Sequence, residues 1–135
     1  MKTLALITAA FLALPAMAAD APAFKAGPAF NEAIANIPGK NLTGVVVNYA
    51  PGQKSRPHHH APSAFIMAYV LSGAVRSQVD DGPVKVYHVG ESWYEKPGAH
   101  HVVSENASKI EPATLLAIFV VDTNDKTLTT PDPAK

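Results

Sequence analysis

Six histidines occur in the chain, and five of them fall into two clusters, His58-His59-His60 and His100-His101. Imidazole binds divalent transition metals and carries protons near neutral pH, so two clusters on separate segments are the first place to look for chemistry. Along an extended strand successive side chains alternate between faces, which puts His58 and His60 on one face and His59 on the other. Two strand rises of ~3.3 Å separate the paired positions by roughly 7 Å, near enough for both rings to lean onto one ion. His100 and His101 are adjacent and must diverge, so only one of them can join the first pair. A run of three histidines alone could be an exposed loop that binds metal casually. A second cluster behind the Pro97-Gly98 turn favours a built site. The expected cofactor is one divalent transition metal ion, Fe, Zn, Cu, Ni or Mn, since imidazole ligation accommodates several of them. His88 lies in the alternating run Val84–Val89 and reads as a surface residue.

The chain contains no cysteine, so any further ligand is a carboxylate or backbone oxygen, and no disulfide supports the fold. Glu95, just before Lys96-Pro97-Gly98, is the candidate catalytic residue, as a proton acceptor or as a replacement ligand. The competing reading is a solvated charge at a strand end, paired with Lys96 or Lys85. Phe65, Met67, Tyr69, Trp93 and Tyr94 would line or back an apolar cavity, although ordinary core packing predicts the same residue types.

Short β-prone runs must position these groups. Turn signals recur at Pro51-Gly52, Ser72-Gly73, Asp80–Pro83, Gly90, Pro97-Gly98 and Asn106–Ser108. Between them lie the runs Thr43–Tyr49, Phe65–Leu71, Ala74–Val79, Val84–Val89, Ser92–Glu95, His101–Ser104 and Leu115–Val121. None leaves room for a crossover helix, so the fold is all-β and mainly antiparallel: a sandwich, a jelly roll or a small barrel. The barrel is expected over residues 41–122. Residues 19–40, interrupted by prolines, read as an arm lying over it, with one helical turn at Phe30–Ile34 or no order at all. Residues 123–135 read as a polar tail, loose at its end.

The opening residues predict export. Lys2, an apolar stretch from Leu4 to Leu14, Pro15 and Ala16-Met17-Ala18 have the pattern of a signal peptide, residues 1–18, cleaved after Ala18 or Ala19. The apolar stretch is too short to span a bilayer. Cleavage removes Lys2 from the 11 basic residues and leaves a formal net charge of −1 against 11 acidic ones. Neither a nucleic-acid footprint nor a polybasic membrane patch is visible, and no dinucleotide or phosphate-loop fingerprint occurs. A small molecule, in the periplasm or outside the cell, is the expected partner.

The stretch from Gly52 to Asn106 resembles the two motifs of the cupin superfamily. The first is Gly52, five residues, His58-x-His60, and later Tyr69–Gly73; the second is Gly90–His101, with Pro97-Gly98 before the histidines. The resemblance implies a double-stranded β-helix, or jelly roll, with a metal in the barrel mouth. It places the ligands on His58, His60 and His101, with His100 and His59 behind them or at the rim. The pattern departs at two points. The usual glutamate of the first motif falls on Phe65 or Ile66, and the closing asparagine is displaced by one, to Asn106. A three-histidine site with open positions follows.

Such a site leaves the charge of the ion uncompensated and should hold small organic anions. Three-histidine members of the superfamily imply a dioxygenase-like reaction, an argument from fold analogy. The alternative is a non-catalytic cupin that binds or senses a metal or small ligand. A sugar isomerase or epimerase ranks third, for want of a dedicated base. Exposed edge strands would permit a homodimer.

Overall fold

The computed structural model describes residues 25–134; the signal peptide expected at residues 1–18 lies outside the described residues. Ten strands occur among the described residues, and no helix. They are β1 (Lys25–Ala33), β2 (Lys40–Tyr49), β3 (His58–His60), β4 (Phe65–Ser72), β5 (Ala74–Val79), β6 (Lys85–His88), β7 (Ser92–Glu95), β8 (His100–Asn106), β9 (Ala113–Asp122) and β10 (Thr129–Pro131). Two five-stranded sheets result, ordered β1-β2-β9-β4-β7 and β10-β3-β8-β5-β6, with all pairings antiparallel. The expected all-β, double-stranded β-helix is the fold observed.

Period-two alternation drives the closure. Ile66, Ala68 and Val70 of β4 and Leu115, Ala117, Phe119 and Val121 of β9 face inward and are buried. Alanine at Ala68 and Ala117 spares interior volume where larger residues would fill it. Consequently the barrel keeps a cavity of about 640 Å³ in its mouth.

Glycine sets the corners. Gly73, between β4 and β5, and Gly98, before β8, adopt φ of 67° and 72°, a region costly for any residue with a Cβ. Two segments differ from the sequence-based expectation. Residues 25–33 form an edge strand on β2 rather than containing a helical turn, and the Phe30 ring lies over Gly44, whose missing side chain makes room for it. Pro28 is tolerated there because the strand has a free edge and a register shift beside it. In the tail, Thr129–Pro131 pairs with β3 and so covers an edge that this three-residue strand could not protect alone.

Candidate metal centre

β3 and β8 are neighbours with His58 opposite His101 and His59 opposite His100. The pleat sends His58, His60 and His101 to the interior, where all three are buried. Their ring centroids lie 4.8 Å (His58–His60), 5.1 Å (His58–His101) and 5.9 Å (His60–His101) apart. One nitrogen from each falls within 4.8 Å of the others, close enough to hold one ion.

Hydrogen bonds orient two of the rings. His58 Nδ1 donates to the Arg56 carbonyl at 2.7 Å and His60 Nδ1 to the Leu128 carbonyl at 3.3 Å, which leaves the Nε2 lone pair of each free for a ligand. In His101, Nε2 shares a 2.9 Å hydrogen bond with Ser77 Oγ, and Nδ1 faces Glu95. Burial pushes His101 down to about 4, against the opposing pull of the Glu95 carboxylate, and burial also lowers His58. Both rings are therefore neutral at pH 7, the state that binds metal.

Glu95 completes the group from the facing sheet. It is 2% exposed, with Oε2 3.0 Å from His60 Nε2 and Oε1 3.4 Å from His101 Nδ1 and 3.0 Å from the Trp93 indole nitrogen. Burial raises its carboxyl, but the neighbouring imidazoles of His60 and His101 and the indole outweigh that effect and hold it below the usual carboxylate range. The alternative of a solvated charge paired with lysine does not hold. Glu95 stands directly opposite Ile66 in the β4–β7 register, at one of the positions where the first motif would otherwise carry its glutamate. In this chain the carboxylate sits on the adjacent strand, on the same inner face.

The donor set fits a transition-metal ion. His60 Nε2 and Glu95 Oε2 face one another, yet among the described residues they are the buried side-chain atoms without a hydrogen-bond partner. Buried polar atoms rarely stay unmatched, and a cation bound by both as adjacent ligands, to one side of their 3.0 Å gap, would satisfy both. The expectation of histidines alone thus gains a carboxylate.

His59 and His100, expected behind the ligands or at the rim, face the opposite side of the sheet. Their rings stack 4.2 Å apart beside Asp132. His88 is exposed and pairs with Glu91. Asn106 is buried and structural, with Nδ2 donating to the Ala50 and Glu111 carbonyls. Sequence reasoning missed Ser77 and Asp132. It weighed Glu95 without fixing its direction, although Trp93, two residues earlier on the same face, was a usable signal.

The cavity opens from this group between apolar walls that include Val45, Val47, Ile66 and Leu115, with Lys54 and Arg56 among its lining residues. Of the residues expected there, Trp93 lines it, whereas Phe65, Met67, Tyr69 and Tyr94 lie exposed on the outside of the sheet.

Comparison with known proteins agrees with this architecture. A protein with a double-stranded β-helix domain from Klebsiella pneumoniae is 18% identical, with 82% of this chain and 85% of that one aligned and a TM-score of 0.62. The DMSP lyase DddQ from Ruegeria pomeroyi is 19% identical over 69% of this chain and 45% of its own, with a TM-score of 0.58. An oxalate oxidase in complex with the substrate analogue glycolate is 23% identical over 59% of this chain and 42% of its own, with a TM-score of 0.54. These likenesses are of fold. No curated protein matches the chain. The family model described as the cupin domain matches residues 45–119, more than half of the sequence, and with the two histidine motifs meeting inside a double-stranded β-helix, the chain belongs to the cupin family.

Proposed function

We propose that the protein is a metal-dependent cupin enzyme, dioxygenase-like, that acts on a small organic anion in the periplasm or outside the cell. The observation that carries this reading is the buried group His58, His60, His101 and Glu95, with two unmatched polar atoms, at the floor of an apolar cavity. His58, His60 and His101 would hold the ion, and Glu95 would be a fourth ligand or a proton acceptor for substrate. A bound iron would supply Lewis acidity and redox chemistry. One carboxylate offsets part of a divalent charge, so the centre remains cationic and favours an anion, as do Lys54 and Arg56. Apolar walls exclude water and strengthen that attraction. The oxalate oxidase and the DMSP lyase support small-molecule chemistry on this fold, as analogy.

Oxygen uptake by the iron-loaded protein across small diketones, phenols and thiols tests the reading. Turnover with one class supports it; tight binding without turnover would make the protein a carrier or sensor. His58→Ala with His60→Ala should abolish stoichiometric metal at the inner group, and His88→Ala should leave it intact. Equal loss in both would mean surface adhesion. Export rests on residues 1–18, and mass analysis of the protein from fractionated cells should find a new N-terminus at Ala19 or Asp20. A second copy of the chain is the partner proposed for the apolar outer face of the first sheet.

A further inference from the structure

On the outer wall of the second sheet, behind the inner group, a second set of donors converges. His59 and His100 are cross-strand partners whose rings stack 4.2 Å apart with planes 9° from parallel. Asp132, one residue beyond β10, places Oδ2 2.9 Å from His100 Nε2 and Oδ1 3.9 Å from His59 Nε2. One donor atom of each residue lies within 4.8 Å of the other two. Side-chain exposures of 56% for His59 and 31% for both His100 and Asp132 leave the group open to an ion from solution. Two imidazoles and a carboxylate, with open positions for water, are a donor set that borderline transition metals accept.

We propose that His59, His100 and Asp132 form a second divalent-cation site, for an ion of the zinc, copper or nickel type, and that this ion fastens the C-terminal strap, residues 128–132, to the barrel wall. Without it the strap is held by the three-residue pairing of β10 with β3, the Leu128 carbonyl's bonds to Ala61 and His60, the Asp132 amide to the Pro57 carbonyl at 2.9 Å, Arg56 Nη2 to the Asp132 carbonyl at 2.6 Å, and the single His100 Nε2–Asp132 Oδ2 hydrogen bond at 2.9 Å, which an ion shared with His59 would replace. What the strap carries gives the site its consequence. The Leu128 carbonyl accepts the His60 Nδ1 hydrogen bond at 3.3 Å and the Ala61 amide at 3.1 Å, and Leu128, Thr129 and Pro131 line the cavity. An ion on the outside therefore steadies the backbone that orients an inner histidine and closes one side of the mouth. Such coupling is reciprocal, so a filled inner site would raise affinity at the outer one.

The test uses the untagged protein stripped of metal, with zinc alone as probe. At about 10 μM free zinc, an affinity beyond casual adhesion to exposed histidines, the wild type should bind one ion more than the His59→Ala/His100→Ala double variant in equilibrium dialysis. Zinc should slow amide exchange at Ala61, Thr130 and Asp132 in the wild type and have a reduced effect in Asp132→Asn, which keeps the side-chain shape. Equal zinc counts in wild type and double variant would overturn the site. An equal zinc effect on exchange in wild type and Asp132→Asn would overturn the fastening. The count is a difference between proteins, so failure of the inner group to bind lowers both values alike and leaves this inference standing.

Discussion

Glu95 is the residue whose environment most constrains its role. A buried carboxylate facing His60, His101 and Trp93 is either a ligand or a base, and the two roles separate under isosteric substitution. As a ligand, Glu95→Gln should weaken inner-site metal binding by at least the roughly 10–100-fold typical of perturbing a group around the ion, measured by competition with a chelator. Unchanged affinity with lost turnover would assign it to proton transfer alone. The histidines set a pH dependence in the metal-free protein. His101 titrates at about 4 when folded against 6.5 for the free side chain, and His58 and Glu95 are also lowered. Well above pH 6.5 neither folded nor unfolded chain protonates these rings, so their contribution is flat. Between 6.5 and about 4 the unfolded chain takes up protons that the folded one refuses, and stability falls as the solution is acidified. The Glu95 contribution acts in the same sense, lost as pH falls through its depressed folded value. The urea midpoint of chelator-treated protein should drop from pH 7.5 to pH 5; an unchanged or higher midpoint would contradict the buried, neutral rings. Strand alternation alone made the shared face of His58 and His60 legible, and it divided His100 from His101 without saying which turned inward; the motif resemblance chose His101. Asp132 was beyond reach because its place depends on a strand pairing far along the chain.

Elements were legible where pattern and turn chemistry agreed. The runs read as strands from β4 to β7 match the observed ranges closely because each alternates or is bounded by a turn. β1 and β10 were not, since both carry proline and owe their form to an edge they cover rather than to their own propensity. Gly73 shows how one corner holds two elements. At φ 67° an added Cβ would come 2.4 Å from the Pro112 carbonyl oxygen and 2.9 Å from Ala113 Cα, backbone that cannot step aside without disturbing the start of β9. Gly73→Ala should therefore destabilise by about 2–4 kcal/mol, the cost of a strained left-handed residue plus the clash. Thermal unfolding monitored by circular dichroism checks this. Gly52→Ala, with a similar φ of 69° but open space around its Cβ position, should lose only the smaller, conformational part.

For the whole molecule, the two faces of the first sheet pose different problems. Its inner face closes the core, yet its outer face exposes Phe65, Met67, Tyr69 and Leu71 of β4, together with Tyr94 of β7, between 38% and 57% of each. Phe65 and Tyr94 stack across the strands with centroids 5.9 Å apart, so the apolar surface is continuous from β4 to β7. Scattered exposed apolar residues are ordinary, but a contiguous apolar sheet face is one that proteins usually cover. A second copy would bury this face against itself about a twofold axis, the commonest arrangement for a homo-oligomer. Met67→Lys with Tyr94→Lys places two like charges on each side of that contact and touches no inner residue. The variant should sediment as a monomer where the parent sediments as a dimer, with the same circular dichroism and the same inner-site metal content. A parent protein that is monomeric at micromolar concentration would remove the second copy from the reading and leave the metal centre, which each chain builds from its own strands, as it stands.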